Sequence, residues 1–548
     1  MNNEPLYLRQ NVLVEPLFNQ WYAWPYLIPP ATAAMFIANM HLKIMQSFVA
    51  APQIHVAALK NPAMRGGPFI NYGADKAPAV KALVEQTTRD SAPLLELAAA
   101  VQRANAALAA DASGFSLEPL YEKIPEALRG YVELVYDLNN APSLRFIEGL
   151  LYKSPYYTEA PQAVALSLVE GDERPFALST PYLRDDSKLH LHLPFRSAAL
   201  DELFRMKTVP QTLGHIKEAL GVSEADGELF ATFFTSEPPP PPPRYDGDAV
   251  RVRYFGHACI LVESKETSIL FDPVISYKYD NGIERYTYAD LPETIDYVVI
   301  THGHQDHFMF ESLLQLRHKT RHVVVPRSNG GGLADPSLRL ILQQAGFRNV
   351  IELDEMGSVE VEGGEIVGLP FMGEHADLNI RAKLAYLVNL KGRKVMCAAD
   401  SNNIEPRLYQ HIHDAVGDVD VLFLGMECDG GPLTWLYGPL MTSPLARKMD
   451  QSRRLDGSDH AKGMDIVNRL NAKQVYIYAM GQEPWLTFLT SIQYTPESRP
   501  IVESDRVVTD CSGRGLSSER LFGRKEILLR PADDEREACE ARTACAVI

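Results

Sequence analysis

The run His302-Gly303-His304-Gln305-Asp306-His307 puts four metal-competent side chains within six residues. Neutral imidazole nitrogens and carboxylate oxygens are the donors that hold zinc, iron and manganese. His302 and His304 can hold one ion, and Asp306 with His307 a second one a short distance away. Packing does not explain such a density of donors. The preceding Tyr297-Val298-Val299-Ile300 has the continuous apolar pattern of a buried strand, so the run lies on the loop at that strand's carboxyl end. A rigid sheet there fixes the backbone while side chains converge.

The run is similar to the HxHxDH signature of the metallo-β-lactamase superfamily, as are Gly256-His257-Ala258-Cys259 and Phe271-Asp272-Pro273. The resemblance covers roughly residues 248–530 and implies a fold, but not a reaction, because the same fold carries hydrolases, lactonases and oxygen-using diiron enzymes. In the hydrolases a histidine follows next, then a bridging aspartate, then a last histidine after another strand. Here Glu374 and His375 compete for the first of these positions, and Asp400, ending the strand Lys394–Ala399, stands at the second. The final histidine is missing, since Gln474–Ala479 runs into Met480-Gly481-Gln482. Glu427 follows the strand Val421–Leu424 and adds an oxygen donor. Asp459-His460, holding the last histidine of the chain, can line the pocket or bind metal. His257 is a candidate to orient a ligand.

The choice between Glu374 and His375 decides the chemistry. With Glu374 the site gathers Asp306, Glu374, Asp400 and Glu427 against three histidines, an oxygen-rich shell that suits iron. With His375 it is an ordinary dizinc or mixed-metal hydrolase site, in which bound water is activated to attack an ester, phosphoester or thioester.

Strands must position these loops. Val250–Glu263, Ser268–Phe271, Tyr297–Ile300, His322–Val325, Val395–Ala398, Val419–Leu424 and Gln474–Ala479 read as strands; Phe310–Arg317, Pro336–Ala345 and Lys462–Leu470 read as helices between them. That order predicts an α+β, four-layer αββα domain over 248–530 with helices outside two sheets. Residues 1–236 read as a mixed, helix-rich domain for docking and dimerisation, with helical spacing in Ala79–Glu85 and Ala92–Leu108. Between the two, in 237–247, Pro238 to Pro243 form a polyproline strut spanning roughly 19 Å, and 531–548 form a tail. His190 and His192 share one strand face with no carboxylate near in sequence, Cys397 and Cys428 read as core, and Gly330-Gly331-Gly332 reads as a mobile loop.

The 548 residues carry a formal charge of −17, which argues against nucleic acid as a partner. Six cysteines (Cys259, Cys397, Cys428, Cys511, Cys539, Cys545) form no CxxC pair and no disulfide framework. No secretory leader or 18-residue apolar span is seen, so a reduced, cytoplasmic protein without membrane contact is expected. Cys545 to Ile548 fits a prenylation pattern, read as chance.

Over nearly the whole chain, including Trp21–Pro30, the sequence resembles the diiron aminoacyl β-hydroxylases, whose members serve chloramphenicol and cyclodepsipeptide biosynthesis. The resemblance implies that Glu374 replaces the hydrolases' histidine and that Asp400 bridges two irons. It further implies O2 and external electrons as co-substrates. The substrate would be an amino acid held as a thioester on the phosphopantetheine of a nonribosomal peptide synthetase carrier domain. An electron donor and a homodimer complete this expectation. Arg317, Lys319 and Arg321 are candidates for a basic patch facing an acidic carrier, with a solvated charge run as the alternative.

Overall fold

The apolar pattern from Val250 to Phe271 folds as three antiparallel neighbours, Val250–Tyr254, Ile260–Glu263 and Ser268–Phe271, in the computed structural model, which describes residues 4–185 and 187–531. Ile295–Val299 then joins in parallel with Phe271 opposite Val299. That register brings Asp272 level with the start of the ligand run. Thr320–Pro326 and Val350–Leu353 extend the sheet on one side, and Lys525–Leu529 closes it beside Val250–Tyr254, giving seven strands. The second seven-stranded sheet runs Ser358–Val361, Gly364–Leu369, Ala385–Leu390, Arg393–Cys397, Val421–Gly425, Gln474–Tyr478, Ser517–Arg520.

The sheets face each other through one apolar layer, in which Val252, Val262 and Phe271 meet Tyr386, Cys397 and Phe423. The helices Arg407–Val416, His460–Arg469 and Arg499–Gly513 cover the second sheet; Phe310–Leu316 and Leu338–Gln344 cover the first. This is the αββα arrangement expected. The N-terminal half is mixed and helix-rich, as expected, built around the long helix Ala92–Asp111. It also carries a four-stranded sheet whose central strand, Val12–Phe18, is buried along its whole length. A strand buried on both faces shows no alternation, and Glu15 and Pro16 interrupt its apolar run.

The proline run does not hold two bodies apart. Leu8, Phe36 and Leu97 belong to one continuous core with Leu270, Phe310 and Leu338, so the N-terminal half lies directly on the helical face of the first sheet. Apolar burial draws the halves together, and Pro238 to Pro243, without helix or strand, crosses the surface between Phe234–Thr235 and Val250–Tyr254. The glycine loop is likewise pinned: Phe146 N donates to Gly331 O at 2.8 Å. A side chain at Gly331 would strike Phe146 O, and its φ of 122° favours glycine. Arg317 is buried on Asp201 and the carbonyls of Phe195, Ala345 and Ser197, Lys319 is buried over Tyr288, and Arg321 pairs with Asp296. These cations join elements together and form no docking patch. His192 meets Arg184, and no candidate metal cluster among the described residues includes it or His190. Cys259, Cys397, Cys428 and Cys511 are free and buried. Cys539, Cys545 and the Cys545 to Ile548 pattern lie outside the described residues. Among the described residues no helix is long and apolar enough to cross a membrane.

Lys207 is buried at the join between the halves, where its Nζ donates to Gln10 O at 3.1 Å and faces the rings of Tyr277 and Tyr288. Burial pulls its pKa down to about 7. From pH 7 to its ordinary value near 10.5 the unfolded chain therefore holds a proton that the folded chain does not. The group costs stability at neutral pH, and that cost fades as pH rises through this window. Lys207→Met is expected to stabilise the protein at pH 7 by on the order of 3 kcal/mol. Chemical denaturation from pH 7 to 10 should show the gain shrinking with pH; an equal effect throughout would show that the lysine is charged in the fold.

Candidate metal centre

Parallel pairing sets the first contacts. Asp272 follows Phe271 and Thr301 follows Ile300, so the buried Asp272 carboxylate takes Thr301 N at 2.8 Å and Thr301 Oγ1 at 2.6 Å. Its Oδ2 also accepts from His307 Nδ1 at 2.8 Å, and Thr301 Oγ1 accepts from His302 Nδ1 at 3.0 Å. With its own proton given to Asp272, Thr301 must receive the imidazole proton. Both rings thus direct Nδ1 at these partners and turn Nε2 inward, where a metal would take the place of any proton on it. Sequence reasoning noted Asp272 but gave it no role.

Glu374 arrives on a backbone of unusual shape. Gly373, Glu374, Ala376 and Asp377 all have positive φ, and a side chain on Gly373 would lie 2.3 Å from Asn402 Cβ. Such strain is retained where the surrounding structure demands it, and here it turns Glu374 into the cavity. Glu374 Oε1 stands 2.5 Å from His304 Nδ1, while Oε2 lies 3.6 Å from His302 Nε2 and 2.5 Å from His375 Nδ1. His375 stacks on His304 and backs the carboxylate from outside. Asp400, beyond Ala399 with its positive φ, places Oδ2 3.0 Å from His307 Nε2 and 3.9 Å from His302 Nε2. It is the carboxylate set between the two halves of the site.

The residues form overlapping trios: His302, His304 and Glu374; His302, His307 and Asp400; His257, Asp306 and His307. Within and beside them the buried His302 Nε2, His307 Nε2, Glu374 Oε2, His375 Nδ1 and Asp400 Oδ1 make no hydrogen bond, although Glu374 Oε2 and His375 Nδ1 face each other. Buried polar atoms that converge without pairing are donors arranged about cations. The set fits a pair of metal ions, and its mix of imidazoles with Asp306, Glu374 and Asp400 fits iron. Burial pushes the Glu374 carboxyl up, but His304 and His375 outweigh it and hold it at about 2. Burial raises the Asp400 carboxyl against the pull of His307.

His257 supports the site. Its Nδ1 accepts from Gly481 N at 3.2 Å, which turns Nε2 toward Asp306 Oδ2 at 3.2 Å. Gly481 follows the strand Gln474–Tyr478, so the strand end that lacks a histidine delivers a backbone N–H to a different one. Glu427 faces the cavity but joins none of the trios. Burial, then Asp400, Asp456 and Asp429, push its carboxyl up to about 8. The strand end brings it into the cavity beside Asp400. His460 is not in the site: Asp459 caps the helix His460–Arg469, and His460 Nε2 meets Asp510 at 2.8 Å. The Asp459 cap was a helix-start signal that the sequence reading took for a pocket pair.

Tyr437 escaped notice. His304, with Nδ1 toward Glu374, donates through Nε2 to Tyr437 Oη at 2.7 Å, and Tyr26 of the N-terminal half packs edge-on to Tyr437 while donating to Ala334 O. The aromatic segment after Trp21 thus reaches a candidate ligand. Tyr437→Phe is expected to weaken iron binding by about tenfold, the lower range for losing a ligand's supporting partner. Competition with a chelator would measure this, and unchanged affinity would exclude the support.

A cavity of about 440 Å³ opens over the cluster, walled by Trp435, Leu436, Leu455, Ile492 and Arg65. Residues 7–238 match the family model described as the diiron non-heme beta-hydroxylase N-terminal domain, and residues 267–430 match a beta-lactamase superfamily domain. The chain is 40% identical over 529 residues to the 4-amino-L-phenylalanyl-[CmlP-peptidyl-carrier-protein] 3-hydroxylase of Streptomyces venezuelae, covering 95% of this chain and 99% of that one. The crystal structure of CmlA, a diiron beta-hydroxylase from Streptomyces venezuelae, superimposes with a TM-score of 0.89 at 39% identity, covering 96% of this chain and 100% of that one. The structure of a CmlA variant gives a TM-score of 0.87 at 38% identity, with the same coverage.

Proposed function

Because the chain belongs to the diiron non-heme β-hydroxylase family, we propose that it hydroxylates the β-carbon of an amino acid tethered as a thioester to a nonribosomal peptide synthetase carrier domain. The observation that carries this reading is the placement of Glu374, with His375 behind it, against His302 and His304. His302, His304 and Glu374 would hold one iron, Asp306 and His307 the other, with Asp400 shared. Iron, when bound, supplies the reduction of O2 and the oxygenation of a C–H bond. One oxygen atom enters the substrate and the other leaves as water, which requires two electrons and two protons from outside. Asp272, directly and through Thr301, holds the His307 and His302 rings with Nε2 inward. His257 steadies Asp306, and Trp435, Leu436, Leu455 and Ile492 give the tethered substrate apolar contacts over the cluster. A separate electron donor, a homodimer and a cytoplasmic location belong to the same reading.

The hydrolase alternative needs a nitrogen-rich shell. Here Glu374, and not His375, joins His302 and His304 in one trio, and the strand end at Gly481 provides no side chain. The test is to load a carrier domain with leucine or an aromatic amino acid, supply iron-grown protein, reductant and O2, and weigh the product. Gain of one oxygen atom, with two irons per chain, supports the proposal. Stoichiometric zinc, with thioester cleavage and no oxygen gain, would replace it with the hydrolase.

A further inference from the structure

Beside the metal cavity lies a second cavity of about 500 Å³, and Gly66, Pro432 and Trp435 line both. The join is built tightly. Trp435 Nε1 donates to Gly66 O at 2.9 Å, and Phe176 stacks on the Trp435 ring. Gly66 has a φ of +69°, which favours glycine, and a side chain there would come within 3.3 Å of Ser491 Cβ and crowd the wall that the two cavities share. The second cavity has an apolar floor of Ile44, Leu178 and Pro439, while Lys43, Ser47 and Thr434 are exposed at its rim. One side of it is the irregular turn Ile37–His41, a π-helical insertion of the kind that recurs at functional sites.

The charge of this groove is informative. In a chain of net charge −17, Lys43 is the single charged residue among its lining residues. Among the described residues Lys43 has no acidic partner, and its Nζ reaches Asn39 Oδ1 at 3.4 Å. An apolar trough with a cation at its rim, sharing a wall of Gly66, Pro432 and Trp435 with the metal cavity, suits a slender, largely apolar chain that carries one phosphate at the far end. We propose that the groove seats the phosphopantetheine arm of the carrier, with Lys43 holding the phosphodiester and the thioester passing beneath Trp435 toward the metals. This rests on the tethered-substrate reading above. Arg65, exposed and lining the metal cavity, marks the competing direct route.

The test uses binding by the full chain, read by calorimetry, of an aminoacyl-phosphopantetheine amide analogue and of the same analogue without its phosphate. The wild type should bind the phosphorylated form about tenfold tighter, as one charge-assisted contact provides. Lys43→Ala should erase that preference and leave the binding of the unphosphorylated form unchanged. If the wild type shows no preference, or if Arg65→Ala erases it while Lys43→Ala does not, the assignment is overturned. In a second measurement, Lys43→Cys alkylated with a bulky maleimide should bind neither analogue, with alkylated wild type as control for the native cysteines. Undiminished binding by the alkylated variant would also overturn it. Failure of the wild type to hydroxylate any loaded carrier would instead count against the proposed reaction, since the binding comparison does not depend on turnover.

Discussion

Glu374→His is expected to abolish hydroxylation while the fold and a dinuclear metal site remain. The carboxylate is the donor that sets this site apart from a zinc hydrolase, and it sits 2.5 Å from His304 Nδ1 and 2.5 Å from His375 Nδ1. An imidazole there exchanges an anionic oxygen for a neutral nitrogen. It removes one negative charge from a shell that must compensate two cations and shifts metal preference toward zinc. Hydroxylation should fall by more than about 100-fold, beyond the loss for merely supporting residues. Zinc content should rise at the expense of iron, and circular dichroism should not change. The strained turn Gly373 to Asp377 tolerates the exchange because its backbone, not the side chain, carries the strain. A variant that retained full activity would return the ligand position to His375.

The metal run was legible because its donors are close in sequence, and Glu374 and Asp400 were legible because they end or follow strands. What stayed hidden depends on contacts between distant segments. Asp272 is 35 residues from His307, and Tyr437 is 133 residues from His304, so neither partnership has a local signature. His460 lies beside an element that borders the site, and position beside an element does not fix side-chain reach; Glu427, after its own strand, does line the cavity with Asp400. The absent final histidine was read correctly as an absence, but its consequence, a free Gly481 N–H that orients the His257 ring, required the folded register. The two sheets followed from apolar runs, whereas the strand Val12–Phe18 was obscured by Glu15, whose purpose lies elsewhere.

That purpose is a buried charge network joining the halves, and it carries the second large expected effect. Arg174 Nη2 lies 2.7 Å from Glu15 Oε1 and 2.7 Å from Glu311 Oε2, and its guanidinium rests on the Phe488 ring. Tyr182 donates to Glu15, and Tyr22 and Tyr277 donate to Glu311, while Lys188 meets Glu15 at 3.1 Å. Glu311 stands in the helix Phe310–Leu316, directly after the ligand run, so the network fixes the helix that follows the metal loop. Arg174→Met leaves two buried carboxylates facing Lys188 alone and is expected to cost about 3–5 kcal/mol, the range for breaking a buried ion pair from one side. Thermal melting should show a clear fall. Adding Glu15→Gln and Glu311→Gln should recover most of it, because the uncompensated charges, more than the lost contacts, account for the penalty. If the triple variant melts no higher than Arg174→Met, the loss lies in packing against Phe488, and the network does not bind the two halves electrostatically.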